Sequence, residues 1–146
     1  MNKRIISLCL ALVLLLCLLP AAAPTAAADG DVAINETNFP DPNFRACVSN
    51  FDQNGNGVLS REEIAGVTAI DCAYCEITSL KGIEYFTSLK TLFCSYNQLK
   101  TLDLSACTAL DVLLCDNNQL TALNVSKNTA LGLTAGRNKG AAAQPA

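Results

Sequence analysis

The chain has 146 residues, of which 51% are hydrophobic, 5% aromatic and 16% charged, and it contains no histidine. The lack of imidazole excludes every catalytic triad or zinc site that depends on it. The formal charge is −3, and a mildly acidic chain without a basic cluster is a poor partner for nucleic acid.

The first 28 residues read as a leader. Lys3 and Arg4 form a basic start, Ile5 to Leu19 is almost wholly apolar, and small residues run to Ala26-Ala27-Ala28. These are the three regions of a secretory signal peptide, with cleavage expected after Ala28. The apolar run is too short and too weakly flanked for a membrane span. Neither Cys9 nor Cys17 follows a small residue, which argues against a lipid anchor. Without Lys3 and Arg4, eight basic residues remain against 13 acidic ones, a charge of −5 on the 118 residues expected to be secreted. That length suits one small domain.

Residues 29–66 are expected to form a helical cap around a calcium loop. Phe44, Cys47, Val48 and Phe51 recur at helical spacing, with Pro42 suited to the first turn. The following segment, Asp52 to Glu63, fits D-x-[DN]-x-[DN]-G-x5-E at every fixed position and resembles an EF-hand loop. Calcium takes six to eight oxygens. Asp52, Asn54 and Asn56 offer side-chain oxygens, Val58 its carbonyl, and Ser60 a direct or water-mediated contact. Glu63 would close the site with both carboxylate oxygens, Gly57 permits the sharp turn, and Leu59 fills the apolar slot. With only Asp52 and Glu63 charged, affinity in the extracellular regime is expected, a dissociation constant on the order of 10⁻⁴ to 10⁻³ M. A rival reading needs no metal: Ser60-x-x-Glu63 is also a capping box, and the Asn/Gly run also makes a turn. There is one such loop, with no second loop to pair with it.

Residues 67–139 carry a repeat. Leu89-x-x-Leu92-x-Cys94-x-x-Asn97-x-Leu99 recurs 21 residues later as Leu110-x-x-Leu113-x-Cys115-x-x-Asn118-x-Leu120. Upstream the frame reads Val67-x-x-Ile70-x-Cys72-x-x-Cys75-x-Ile77, and downstream it decays through Leu131 and Gly136 to Lys139 and Ala141. Leu102-Asp103-Leu104-Ser105 returns as Leu123-Asn124-Val125-Ser126. The frame resembles the leucine-rich repeat, with Cys in place of the sixth-position Leu. Its wording is similar to secreted repeat proteins of gut-type Gram-positive bacteria and, more distantly, to internalins. The resemblance implies an α/β solenoid: a short right-handed leucine-rich-repeat solenoid of about three turns and a fragment, with parallel concave strands and an α-helical EF-hand-like N-terminal cap. In that fold Leu92 and Cys94 point inward and Phe93 and Ser95 outward. Asn97 and Asn118 would bond backbone along a ladder, with Cys75 and Lys139 standing in the Asn slot at either end.

Six cysteines lie beyond the leader: 47, 72, 75, 94, 107 and 115. An even count in a secreted chain suggests disulfides. Cys72, Cys94 and Cys115, however, occupy one inward slot on successive turns, about 4.8 Å apart like neighbouring strands. That is too far for unstrained bridges, which favours a ladder of thiols in the core. Cys72-Ala73-Tyr74-Cys75 reads formally as CxxC but has no matching second pair for zinc. Cys107 shares the return-side slot of Phe86 and Asn128.

The outward strand residues are Asp71, Ala73 and Tyr74, then Phe93, Ser95 and Tyr96, then Leu114, Asp116 and Asn117, then Ala135, Arg137 and Asn138. Of these, Tyr74, Phe93, Ser95, Tyr96, Leu114, Asp116 and Asn117 form the candidate ligand face for a protein or glycan partner. The alternative is that Phe93 and Leu114 only support the sheet by cross-strand packing. Asp71, Asp111 and Asp116 lack a positioned nucleophile or cation centre, so no enzyme is expected. Residues 140–146 read as a disordered tail. The chain therefore reads as a secreted, non-catalytic leucine-rich-repeat interaction module for adhesion or ligand binding, its cap stabilised by calcium. The alternative is a structural spacer or truncated remnant of a longer surface repeat protein.

Overall fold

The computed structural model describes residues 30–132 and the backbone of Ala143–Gln144. The expected leader and the outward residues Ala135, Arg137 and Asn138 lie outside the described residues, as does Lys139.

The cap begins with β1 (Val32–Ala33) and α1 (Pro42–Val48), which runs into a 3-10 turn at Ser49–Phe51. A helix this short cannot satisfy its own first N–H groups. Asp41 does so, its Oδ1 accepting from the N–H groups of Asn43 and Phe44 at 3.0 Å, with Pro42 in the first turn. The spacing noted in the sequence then buries Phe44 and Val48 fully and Cys47 and Phe51 in part. The loop contains β2 (Val58–Leu59), and α2 (Arg61–Gly66) leaves it. The sequence offered no second loop to pair with this one; the structure supplies a partner of another kind. β1 pairs antiparallel with β2, Val32 opposite Leu59 and Ala33 opposite Val58.

The repeats begin at Val67. Three strands, β3 (Ala69–Asp71), β4 (Thr91–Phe93) and β5 (Val112–Leu114), form a parallel sheet in the order of the chain. Ile70, Leu92 and Leu113 stand in one register, and Asp71, Phe93 and Leu114 in another. The first row is buried, because alternate strand residues face opposite sides and this row faces the core. Leu92 and Cys94 point inward as the repeat frame requires, each fully buried.

On the return side, Asp103 bridges Asn124, and β6 (Leu123–Asn124) pairs in parallel with β7 (Ala143–Gln144). Within the stretch 140–146, expected from sequence to be a disordered tail, Ala143–Gln144 pairs as β7. The pairing places Gln144 20 residues beyond Asn124, close to the repeat length. The backbone thus adds a rung where the leucine pattern has faded, because main-chain bonds need no particular side chain.

Cap and repeats share one core. The Phe39 ring lies 6.1 Å from that of Phe44, 5.7 Å from Tyr85 and 6.4 Å from Phe86. Phe51 packs on Phe86 at 5.9 Å, edge to face. Gly82, at φ +103°, sits against this cluster, and a Cβ there would lie 2.2 Å from Phe39 Cδ1. Only glycine meets both demands.

Candidate functional site

Two places carry candidate chemistry, the loop of the cap and the open face of the sheet.

In the loop, Asp52 Oδ2 accepts from Gly57 N–H at 2.8 Å, and Oδ1 from Gly55 at 2.8 Å and Asn56 at 3.2 Å. Asn54 Oδ1 accepts from Asn56 N–H at 3.0 Å, and Asn56 Oδ1 from Val58 N–H at 2.8 Å. Gly55 and Gly57 adopt φ +68° and +78°, which folds the alternate side chains inward. Glu63 closes the ring from the far end. Its Oε1 accepts from Gln53 N–H at 2.8 Å and Asn54 Nδ2 at 3.4 Å. Its Oε2 accepts from Ser60 N–H at 2.8 Å and from the Ser60 hydroxyl at 2.9 Å. Ser60 Oγ in turn accepts from Glu63 N–H at 3.2 Å, completing a capping box.

By type the residues suit a hard cation: Asp52, Asn54, Asn56 and Glu63 supply side-chain oxygens within one loop, and Asn54 Nδ2 reaches Glu63 Oε1 across it. The fit has a cost, since both Glu63 oxygens already accept two bonds each. A bidentate contact requires Glu63 to exchange Gln53 and Ser60 for the ion. Those bonds, from Ser60 first and then Gln53, hold the Glu63 carboxyl below the usual carboxylate range, so the loop keeps its anion available.

Asp41 is the residue that sequence reading missed. Beyond capping α1, its Oδ2 accepts from Thr78 N–H at 2.8 Å, Thr78 Oγ1 at 2.7 Å and Ser79 N–H at 3.2 Å. One carboxylate therefore bolts the cap to the first turn of the repeats. Burial by itself pushes the Asp41 carboxyl up, but the bonds from Phe44, Thr78 and Ser79 together outweigh it and lower its pKa. Asp-Pro at the head of a helical pattern signals the cap locally. Nothing local signals the contact 37 residues away.

Along the sheet, Cys72 N–H donates to the Phe93 carbonyl and Cys94 N–H to the Leu114 carbonyl, both at 2.8 Å. Cys72, Cys94 and Cys115 stack in one inward slot, 0–1% exposed and in no disulfide. Burial pushes the Cys72 thiol up to about 12, and Cys94 is raised for the same reason. Next to them runs the asparagine ladder. Asn97 Nδ2 donates to the carbonyls of Cys72 at 2.8 Å and Cys94 at 3.0 Å, while its Oδ1 accepts from Ile77 at 2.9 Å and Cys75 at 3.2 Å. Asn118 repeats this one turn on, donating to Cys94 and Cys115 and accepting from Leu99.

The open face carries the candidate ligand residues. Phe93 and Leu114 are half-buried, neighbours in the sheet register. Ser95, placed on the open face by strand alternation, is only 8% exposed there. Its hydroxyl is drawn to Asp116 Oδ1 by a short hydrogen bond. Asn117 Nδ2 donates to Asp116 Oδ2 at 2.6 Å. The Ser95 bond chiefly, with Asn117, holds Asp116 below the usual carboxylate range, so it is an anion.

The large exposed side chains of this face are Tyr74 and Tyr96, at 71% and 48%. Their rings stack 4.3 Å apart at 10°. Desolvation in the stack, then the nearby Tyr96 and Asp116, raise the Tyr74 hydroxyl above the usual phenol range. Both tyrosines occupy the slot that Asn117 fills on the next turn, and all three are left-handed, with φ of 59°, 56° and 54°. Asparagine tolerates that conformation, whereas tyrosine pays roughly 1–2 kcal/mol for it.

Fold and ladder define a leucine-rich-repeat solenoid, and residues 87–128 match the leucine-rich-repeat family model in two copies. In particular, the chain is similar to internalin J of Listeria monocytogenes serotype 4b (strain F2365), with 43% identity over 68 residues, 46% of this chain. Internalin J of serovar 1/2a (strain ATCC BAA-679 / EGD-e) matches to the same extent. The chain spans only 7–8% of these relatives' length. Among solved structures, the functional domain of InlJ from Listeria monocytogenes, described as including a cysteine ladder, superposes with a TM-score of 0.67 at 33% identity. That match covers 85% of this chain and 27% of the other. Internalin C2 from the same species, strain 4b F2365, gives a TM-score of 0.55 at 18% identity, covering 71% of this chain and 52% of that one; this likeness concerns fold alone.

Proposed function

We propose that the chain is a secreted, non-catalytic interaction module. Its sheet face captures a protein or glycan, and its cap is an EF-hand-type loop loaded with calcium. The observation that carries the reading is the Tyr74–Tyr96 stack. Two exposed aromatic rings are held in a strained backbone beside an ionised Asp116, and strain kept at an exposed aromatic site points to use. Such rings give a ligand apolar area with a polar edge.

Export is supported by the leader-like sequence over 1–28. Calcium is supported by the oxygen-bearing side chains of Asp52, Asn54, Asn56 and Glu63 within one loop closed by Glu63 on Gln53 and Ser60, with the Val58 carbonyl and Ser60 completing the proposed set. The non-catalytic reading is supported by how the acidic candidates are used: Asp116 is committed to Ser95 and Asn117, and Asp71 accepts from Ala73 N–H. A second reading, a spacer with no ligand of its own, draws on the half-burial of Phe93 and Leu114, which suits cross-strand support.

The two are separated by screening the chain, with and without calcium, against protein and glycan arrays. A hit lost in Tyr74→Ser/Tyr96→Ser, with an unchanged circular-dichroism spectrum, supports the interaction module. A hit that survives the double substitution removes the stack as the site.

A further inference from the structure

Four of the six cysteines at positions 47 to 115 are core residues: Cys72, Cys94, Cys107 and Cys115 are 0–1% exposed. Cys47 and Cys75 are half-buried, and they meet. The Cys47 thiol, on α1, donates to Cys75 Sγ at 4.0 Å, and the Cys75 thiol donates to the Ala73 carbonyl at 3.2 Å. A shallow cavity of about 340 Å³, lined by Asn43, Ala46, Cys47, Asn50 and Cys75, gives a small reagent access to both sulfurs.

The repeat frame explains why a thiol stands there. On later turns this slot holds Asn97 and Asn118, each of which donates to a carbonyl of the preceding turn. The first turn has no preceding turn. What covers it is α1, and what α1 presents is Cys47.

We propose that Cys47 and Cys75 are an oxidative cross-link site that joins the cap covalently to the first repeat. Two S–H bonds break and one S–S bond forms. The two electrons and two protons pass to a disulfide oxidant, through a mixed disulfide, and leave it as two thiols. The sulfurs must close from 4.0 Å to about 2.05 Å. Half-buried side chains at the solvent edge can rotate to do this, whereas the packed thiols of the ladder cannot. Burial, then the neighbouring Cys75, pushes the Cys47 thiol up to about 11. The reaction is therefore slow at neutral pH and quickens as pH rises. Closure ties residues 28 apart in sequence and removes chain freedom from the unfolded state.

The test incubates the reduced full chain with glutathione disulfide at alkaline pH, alkylates it after unfolding and maps its peptides. Cleavage after Tyr74 separates Cys72 from Cys75. The expected product is a Cys47–Cys75 peptide 2 Da lighter than its two halves, with Cys72, Cys94, Cys107 and Cys115 alkylated. The melting temperature should rise by about 5–10 °C. The rise should vanish in Cys47→Ser and in Cys75→Ser; Cys47→Ala serves as well if either serine variant fails to fold. A Cys72–Cys75 bridge, ladder thiols oxidised first, single glutathione adducts as the end state, or all six thiols from Cys47 to Cys115 intact would each overturn the proposal.

Discussion

The cap and the repeats solve the same problem in opposite ways. In the cap loop, polar groups are satisfied locally: Asp52 bonds to residues three to five positions away and Glu63 to residues three to ten away. In the repeats, Asn97 reaches back 20 to 25 residues for three of its partners, and Asn118 reaches back 19 to 24 for two. A locally satisfied segment can form alone but gains little from its neighbours. A rung satisfied by the next rung cannot stand alone and gains everything from stacking. The two meet in the shared core, where Asp41 and the Phe39 cluster are the most explicit links.

The sharpest way to break this contrast is Asn97→Ala. It strands buried carbonyls and N–H groups on two rungs at once, and a loss of about 3–5 kcal/mol is expected from urea unfolding. Asn118→Ala, in a half-buried site, should cost less, about 1–3 kcal/mol. Equal costs would mean that the ladder does not depend on burial.

Asp41→Ala removes a helix cap and the bolt to Thr78 and Ser79 together, for an expected loss of about 2–4 kcal/mol. Asp41→Asn gives the pH signature. The folded Asp41 pKa is depressed, so its contribution is present above the unfolded value, about 3.9, and is lost as pH falls through the folded one. Urea midpoints between pH 7 and pH 2 should fall less steeply in Asp41→Asn than in the parent. Parallel curves would remove Asp41 as the linkage group.

The proposed calcium site touches only the cap, so the effect expected of the ion is smaller. With about 1 mM free ion and a dissociation constant near 10⁻⁴ M, linkage gives a melting shift of roughly 4–8 °C. Glu63→Gln should abolish the shift and Glu62→Gln should not. Identical melts in calcium and in chelator would leave the loop as the capping box that Ser60 and Glu63 already form.

The smallest expected effect is at the open face. Tyr96→Gly relieves a left-handed tyrosine but loses backbone entropy, so stability should change by less than about 1 kcal/mol. A larger loss would give Tyr96 a structural duty.

Much of this molecule is local grammar, and the sequence by itself determined that part. The 21-residue period set which leucines and cysteines face inward, because a strand alternates and a repeat imposes one register. The Asp-x-Asn-x-Asn-Gly run set its own turn, since short polar side chains bond the backbone two to five residues on. Only the tertiary structure decided what depends on distant chain. It gave β2 a partner in Val32–Ala33, tied Ser95 to Asp116 on the open face, and added Ala143–Gln144 to the return side. It also set Asp41 against Thr78 and Cys47 against Cys75. The two cap-to-repeat pairings, Asp41 with Thr78 and Cys47 with Cys75, join residues 37 and 28 positions apart, and no periodicity within either segment encodes them. They arise because packing the cap on the first turn fixes which buried polar and sulfur atoms must find each other.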